Sequence, residues 1–463
     1  MANQLFNEFH SHTKEQWKQQ AVKELKGKNF DEMMVWNIDK NIQIEPYYAS
    51  EEIDFQSTKN IQQAQNQRVN SNWNYREIIR YTSEKETNSL IFKLLRQGVD
   101  SFLIDLSDVL LSNVEIKKLL HNFKLSDTPF FFKVENQALD LVNELQKFAI
   151  YQWKGGIIND AFGRWMNTGN WDINHWKDSV ELIRKVQNSP QFKVLHFSSH
   201  HYHNAGANVA QELAFVLAQA IEAIDKLSQE GIEVKDILKN IEFSISIGTN
   251  YFVEISKLRA LKFLWKKILL EAYGFDISLT NITSFHCQTS SYYHSTITPH
   301  SNLLRTTTEA MSAIIGGCDS ISILSFDKNA DNSDDFGQRI ARNISIILKE
   351  ESYFDKVTDP SAGSYFIEKL TLEIAEESLK ILEEVEALGG VMKAFKQGFI
   401  QKKISVENSK KQDDLQTNKY IMVGVNKFRL DEKPFIKALE STSVAHSDLE
   451  LLPNLRLSES FEM

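Results

Sequence analysis

The side chains best suited to bind a ligand or move a proton are gathered in a few short stretches. His196, His200, His201 and His203 share one run with Ser198, and a second run places His286 between Ser284 and Gln288. Imidazoles at alternating positions could converge on a metal ion. This run has no cysteine or carboxylate at ligand spacing, and Asn204 is a poor fourth ligand, so no metal site is expected and the histidines read as active-site or lumen residues. Cys287 shares its parity with Phe285, which points it toward packed helices as an inert thiol. Gly316 and Gly317 precede a strand-like run rather than opening a helix after one, so they make a turn and not a phosphate loop. Trp153, Trp165, Trp171 and Trp176 lie close together and suit core packing, with contact to a partner as the other reading.

These groups need a scaffold, and the pattern of the chain supplies one. Short β-prone runs recur, each followed by a longer segment of helical period, which argues for βα units. Eight runs stand out: Ser101–Leu106, Phe130–Glu135, Gly155–Asn159, Lys193–Ser199, Glu242–Gly248, Ile282–Gln288, Ser320–Ser325 and Gly363–Ile367. Eight is the number for a closed (β/α)8 barrel. Between them, Ala207–Leu227 and Phe336–Lys349 carry apolar residues on one helical face and suit the outer ring.

The strand parity is unusual for such a barrel, whose inward positions ordinarily hold Val, Ile and Leu. Phe243, Ile245 and Ile247 alternate with Glu242, Ser244 and Ser246, and Ile321 and Ile323 alternate with Ser320 and Ser322. Apolar faces belong against the helices, so the serines point inward. Hydroxyls in a lumen need water or a ligand, which predicts a hollow barrel, or its relic, threaded by a long polar molecule. An antiparallel sheet with one solvated face gives the same alternation.

The flanking regions are plainer. Thr13 and Gln16 have capping-box spacing and open a short helical arm that Gly27 stops. Leu370–Lys403 reads as long helices, Ser405–Asn418 as a polar linker and Tyr420–Val425 as a final strand-like piece. The expected division is an N-terminal arm and extended segment over 1–70, the barrel over 71–404, and a linker with a C-terminal extension over 405–463. With 42% hydrophobic residues among 463, the chain supports a real core. Its net charge of −10 includes no basic block, which argues against nucleic acid or an anionic membrane as partner. No apolar run approaches the ~20 residues of a bilayer span. Two cysteines without CxxC or zinc spacing, and no leader-like start, fit a cytoplasmic protein.

Eight stretches then carry a resemblance: PYYAS (Pro46–Ser50), HYHNAGANVAQELAF (His201–Phe215), NYFVEISKLRALKFLW (Asn250–Trp265), FHCQTS (Phe285–Ser290), NLLRTTTEAMSAIIGG (Asn302–Gly317), DFGQRIARNISIILKEES (Asp335–Ser352), DPSAGSYFIE (Asp359–Glu368) and VGVNKFRL (Val423–Leu430). In that order they resemble the methylmalonyl-CoA mutase family, which interconverts methylmalonyl-CoA and succinyl-CoA with adenosylcobalamin. The resemblance implies a hollow barrel lined by small polar residues and threaded by the pantetheine arm of the CoA ester. It places Arg76, Ser198, Ser244, Ser246, Ser284, His286 and Gln288 along the substrate path. His286 is read as a donor to the thioester carbonyl or as a satisfied lumen residue.

The departures from the family bear on function. Active chains continue into a cobalamin-binding domain with Asp-x-His-x-x-Gly; His446, in VAHSDLE, does not fit that pattern, and no such domain is expected before Met463. Where active chains resemble WTIRQYAGF, this chain reads WNYREIIRY, keeping Arg76 but placing Ile78 where the Tyr stands. An aliphatic group cannot donate that hydrogen bond. Where they resemble GGTQSLHTNS, Asp319, Ser322 and Leu324 replace Gln, His and Asn. His201 keeps the catalytic position, but His200, His203 and Asn204 alter its neighbours, and Ser361 and Ala362 stand where Trp and Gly are usual.

The pattern looks like the non-catalytic small subunit of a heterodimeric isomerase: no cofactor on this chain, adenosylcobalamin in a homologous catalytic large subunit, and a CoA ester as a further lumen ligand. Two alternatives are a catalytic barrel using a separate B12-binding subunit, and a CoA-ester-binding protein without a mutase partner. Restoring one hydroxyl leaves the cobalt ligand missing, so the Ile78→Tyr variant on its own is expected to show no mutase turnover in an acyl-CoA isomerisation assay. Turnover by that variant alone would contradict this reading.

Overall fold

The computed structural model describes residues 12–38, 41–66, 71–276, 282–328, 335–430 and 449–462. His446 lies outside them. At the N-terminus the Thr13 side chain accepts from the Gln16 backbone N–H and Gln16 answers to Thr13 N, so the capping box forms and opens the helix Lys14–Glu24.

The centre is a parallel sheet rolled into a ring. Its strands are β1 (Asn74–Arg80), β2 (Ser101–Asp105), β3 (Phe130–Lys133), β4 (Lys154–Ile158), β5 (Gln191–Lys193 and Leu195–Ser198), β6 (Ile241–Ile247), β7 (Ser284–Thr289) and β8 (Ser320–Ser322). β5 is broken at Val194. Its first half pairs with β4 and its second half with β6, and β8 pairs with β1, so the ring closes across the break. Every pairing in the ring is parallel, which rules out the antiparallel alternative. At one seam only glycine fits: a Cβ on Gly155, whose φ is +117°, would stand 1.8 Å from the carbonyl oxygen of Phe130.

Three expectations are corrected. Gly363–Ile367 is no strand: the Ser364 side chain accepts from Ile367 N and caps the helix Tyr365–Ala387. The missing eighth strand is β1. Its polar text, NYREIIR, hid it, because Arg76 is buried inward and Glu77 is buried outward beside Arg342 at 3.5 Å. The stretch 405–418, read as a linker, lies mostly within the helix Phe399–Gln416, which buries Ile400, Gln401, Ile404 and Leu415. That helix runs across the expected boundary at 404. Tyr420–Val425 contributes only an isolated bridge between Val423 and Lys427.

Outside the ring the helices supply the packing. Val209–Gln229 and Tyr251–Tyr273 fill the expected outer positions and are buried on nearly all sides, because Tyr365–Ala387 lies over both. Phe243 packs edge-on against Trp265 and stacks on Phe285, which confirms that the apolar parity of β6 and β7 faces outward. Cys287 shares that face; burial and the neighbouring Cys318 hold its thiol well above the usual range. Trp153 and Trp165 pack into the core, and half-buried Trp171 and Trp176 cluster on Phe162, so packing accounts for the tryptophans. No helix among the described residues is long and apolar enough to cross a membrane.

One buried cation ties the outer layer together. Arg259, in the helix Tyr251–Tyr273, pairs with Asp359 and with Glu368 at 2.7 Å, and Glu368 also accepts from Gly363 N and Gln62. The Asp359–Ser364 turn is thereby fastened to the barrel's outer ring. Removing Arg259 leaves two buried carboxylates without a counter-ion. Arg259→Ala is expected to cost about 3–5 kcal/mol in denaturant unfolding, whereas an effect within the range of a surface substitution would show that the clamp is not structural.

Candidate functional site

The inward parity builds the interior as the sequence indicates. His196 and Ser198 of β5 sit beside Glu242 and Ser244 of β6, which sit beside Ser284 and His286 of β7; His286 then sits beside Ser320 of β8. Expected lumen residues from four strands therefore share neighbouring levels. What sequence reasoning did not find is how the midplane is used.

Arg76 reaches from β1 across the barrel to Glu242 on β6. The contact is bidentate, with Nη1 donating to Oε1 at 2.9 Å and Nη2 to Oε2 at 2.7 Å, and both side chains are buried. Nη2 also donates to Ser320 Oγ at 3.2 Å, and the guanidinium lies 3.3 Å from the centroid of the Phe131 ring. His196 Nδ1 stands 3.5 Å from Glu242, and His286 Nδ1 stands 2.8 Å from Ser320 Oγ. Burial alone would raise the Glu242 carboxyl, but the charge and hydrogen bonds of Arg76 outweigh it and hold Glu242 well below the usual carboxylate range. Burial, and then Arg76, push His286 down, so it is neutral.

This ion pair lies between two cavities, and Arg76 borders both. At the N-terminal mouth is one of about 830 Å³, lined by Asn72, Asp100, Lys193, Glu242, Ser284 and Asp319. Lys193 there donates to the carbonyls of Lys239 and Ile282 at 2.5 and 2.8 Å, and burial lowers its pKa to about 8. At the C-terminal mouth, the face that carries the active site in (β/α)8 enzymes, is a cavity of about 490 Å³ lined by Ile78, Ser198, His200, Ser244, His286 and Gln288. Ser246 stands behind this wall, 2.5 Å from His200 Nδ1, while His200 Nε2 is 2.8 Å from Ser244 Oγ.

The histidine cluster diverges. His203 turns away from the lumen to Glu212 at 2.8 Å and Ser290 at 2.7 Å. His201 is buried, with Nε2 accepting from the Gln219 amide at 3.1 Å and Nδ1 3.8 Å from Asp160. Among the described residues no group of three or more His, Cys, Asp or Glu could hold a metal ion.

A further feature had no sequence signal. Residues 449–462 form a strap over the C-terminal mouth: Leu452 N donates to Met166 O, Leu455 N to Asn204 O and Leu457 N to Tyr292 O, at 2.8–2.9 Å. Leu452 and Leu457 are buried, and Pro453 and Asn454 border the cavity below.

With this geometry in hand, comparison with known proteins gives a consistent result. A family model described as Methylmalonyl-CoA mutase matches residues 108–460. The Methylmalonyl-CoA mutase small subunit of Porphyromonas gingivalis is 35% identical over 441 residues, covering 92% of this chain and 71% of that protein. Methylmalonyl-CoA mutase of Cereibacter sphaeroides is 29% identical over 480 residues, covering 94% and 67%, and that of Rhizobium meliloti is 38% identical over 268 residues, covering 58% and 37%. The chain belongs to the methylmalonyl-CoA mutase family.

The state of His201 yields a pH prediction. Burial lowers its pKa to about 4, against an ordinary value of 6.5, so between those values the unfolded chain binds the proton and the folded chain does not. Stability therefore rises with pH across that window and is lost as pH falls from about 6.5 to about 4. His201→Gln removes this titration, and its unfolding free energy is expected to change less steeply with pH than that of the parent chain over the same window. Parallel curves from denaturant melts would refute the assignment.

Proposed function

We propose that this chain is the non-catalytic partner in an adenosylcobalamin-dependent methylmalonyl-CoA mutase, stabilising and orienting a homologous large subunit that holds the cofactor and performs the isomerisation. The observation that carries the proposal is the Arg76–Glu242 pair. A pantetheine arm running the length of the barrel would have to pass where the guanidinium, the carboxylate and the Phe131 ring are packed. Opening that path leaves one buried charge without the other, at several kcal/mol.

Other features support the same reading. Ile78 lines the C-terminal chamber at the place where active chains resemble a tyrosine. His201, at the catalytic position, is neutral, buried and bonded to Gln219 rather than exposed to a substrate. The strap covers the face on which a cobalamin domain would stack. Cobalamin, when bound to the large subunit, supplies the radical chemistry. The lumen groups Ser198, Ser244, Ser246, Ser284, His286 and Gln288 are in this reading the retained lining of a substrate path that this chain no longer uses. The two cysteines are buried thiols, in keeping with a reduced, cytoplasmic setting.

The test is reconstitution. Purified chain mixed with a mutase large subunit is expected to co-elute with it, to raise its melting temperature and to show acyl-CoA isomerisation that the chain alone lacks. Turnover when the chain is mixed instead with an isolated cobalamin-binding domain would overturn the proposal in favour of a catalytic barrel.

A further inference from the structure

A cavity of about 550 Å³ lies outside the ring, bounded by residues 35–38 of the arm, the first turns of Val209–Gln229 and Tyr251–Tyr273, and the helix Phe399–Gln416. At its floor a single buried lysine serves two buried carboxylates: Lys257 pairs with Glu212 Oε2 at 3.2 Å and with Glu254 Oε2 at 2.6 Å. Glu212 has further partners in His203 at 2.8 Å and the Ser199 hydroxyl at 3.3 Å. Glu254 has none. It is only 4% exposed, and its Oε1 makes no hydrogen bond or ion pair among the described residues. The Tyr293 hydroxyl, on the same cavity, likewise makes no hydrogen bond among them. Burial keeps that phenol neutral, and its oxygen remains an acceptor. The two groups are neighbours, since a Cβ on Gly248 would stand 2.9 Å from the Tyr293 ring and 3.1 Å from Glu254 Oε1.

The wall around these acceptors is aromatic and apolar. Trp36 and Tyr420 line it beside Tyr293, together with Val209, Val253 and Leu457. The other cations on it are engaged or peripheral: Lys411 donates to Ala207 O at 2.8 Å, and Lys410 and Lys419 are exposed. Glu407 and Asp414 alternate with Lys410 and Lys411 along the helix Phe399–Gln416 and offset them. A buried carboxylate oxygen without a donor calls for a charged N–H group, and aromatic rings attract the same cation. The apolar side chains suit hydrocarbon. An anion would meet Glu254 with its own sign of charge.

We propose that this cavity binds an organic amine, with the ammonium on Glu254 Oε1 and the Tyr293 hydroxyl and the hydrocarbon between Trp36 and the side chains of Val209, Val253 and Leu457. The site lies outside the barrel lumen and does not depend on the partner role proposed above.

Calorimetric titration of the full chain with phenethylamine, phenethyl alcohol and hydrocinnamate, which share a phenethyl group and differ in charge, tests it. Phenethylamine is expected to bind at one site per chain, the neutral alcohol about tenfold more weakly, and the anion not to saturate. Glu254→Gln keeps the shape of the side chain and removes its charge, and should weaken the amine about tenfold. Trp36→Ala, at a half-exposed position outside the core, should weaken it severalfold. Circular dichroism of each variant checks that the fold is intact. Absence of saturable amine binding, alcohol or hydrocinnamate binding as tight as the amine, or amine affinity unchanged in folded Glu254→Gln or in folded Trp36→Ala would overturn the proposal.

Discussion

The interior depends on one bidentate contact between Arg76 and Glu242. A barrel whose inward positions are serine, histidine and glutamate lacks the layered aliphatic filling that normally packs such a core. Two buried charges in that setting are costly unless they are paired and hydrogen-bonded, and here they are paired through both terminal guanidinium nitrogens. The guanidinium has its carboxylate, the Ser320 hydroxyl and the face of Phe131; the carboxylate has both guanidinium nitrogens and the nearby His196. The pair substitutes for the missing packing at the midplane and, in doing so, sets the boundary between the two cavities. The neutral state of His286 follows first from its burial and then from Arg76, beside which a second cation would be repelled.

Because so little of the core lies inside the ring, stability has to come from outside it. The helices Val209–Gln229 and Tyr251–Tyr273 are covered on one side by the strands and on the other by Tyr365–Ala387, so they behave as buried helices rather than as a solvated outer layer. Arg259 secures that third layer by an ion pair instead of by apolar contact alone. The same strategy appears at both radii of the molecule: a buried arginine holds two elements that hydrophobic packing would leave independent.

The parts of this structure legible in the sequence are those where burial and polarity agree. β6 reads correctly because Phe243, Ile245 and Ile247 face helices while Ser244 and Ser246 face the lumen, and every second residue carries the signal. β1 fails the same reading because its two faces are both buried and both charged: Arg76 inward to Glu242, Glu77 outward to Arg342. Gly363–Ile367 misleads for the opposite reason, since Tyr365 and Ile367 alternate like a strand while Ser364 supplies a helix cap. The inward serines and His286 were identifiable from parity alone. Their relation to Glu242 was not, because an ion pair across a barrel joins residues 166 positions apart in the chain and leaves no local trace. The strap was invisible for a similar reason: its anchors are backbone groups of two short helices and a turn, and backbone bonding is indifferent to side-chain type.

The histidines show why family position and chemical capacity must be argued separately. His201 occupies a catalytic position by resemblance, yet a general acid needs a proton to give near neutral pH and a path to a substrate atom. With a pKa of about 4 it is neutral, and the Gln219 amide donates to its Nε2. Nδ1 points toward Asp160 at 3.8 Å, across the place where Gly163 leaves no side chain; a Cβ there would stand 2.8 Å from it. The ring is thus enclosed by its own protein on both nitrogens. His200 is nearer the chamber, but Ser244 and Ser246 occupy its two nitrogens. His200 and His203 have thus been drawn into structural hydrogen bonds on both nitrogens, and none of these imidazoles supplies the hydroxyl that Ile78 lacks.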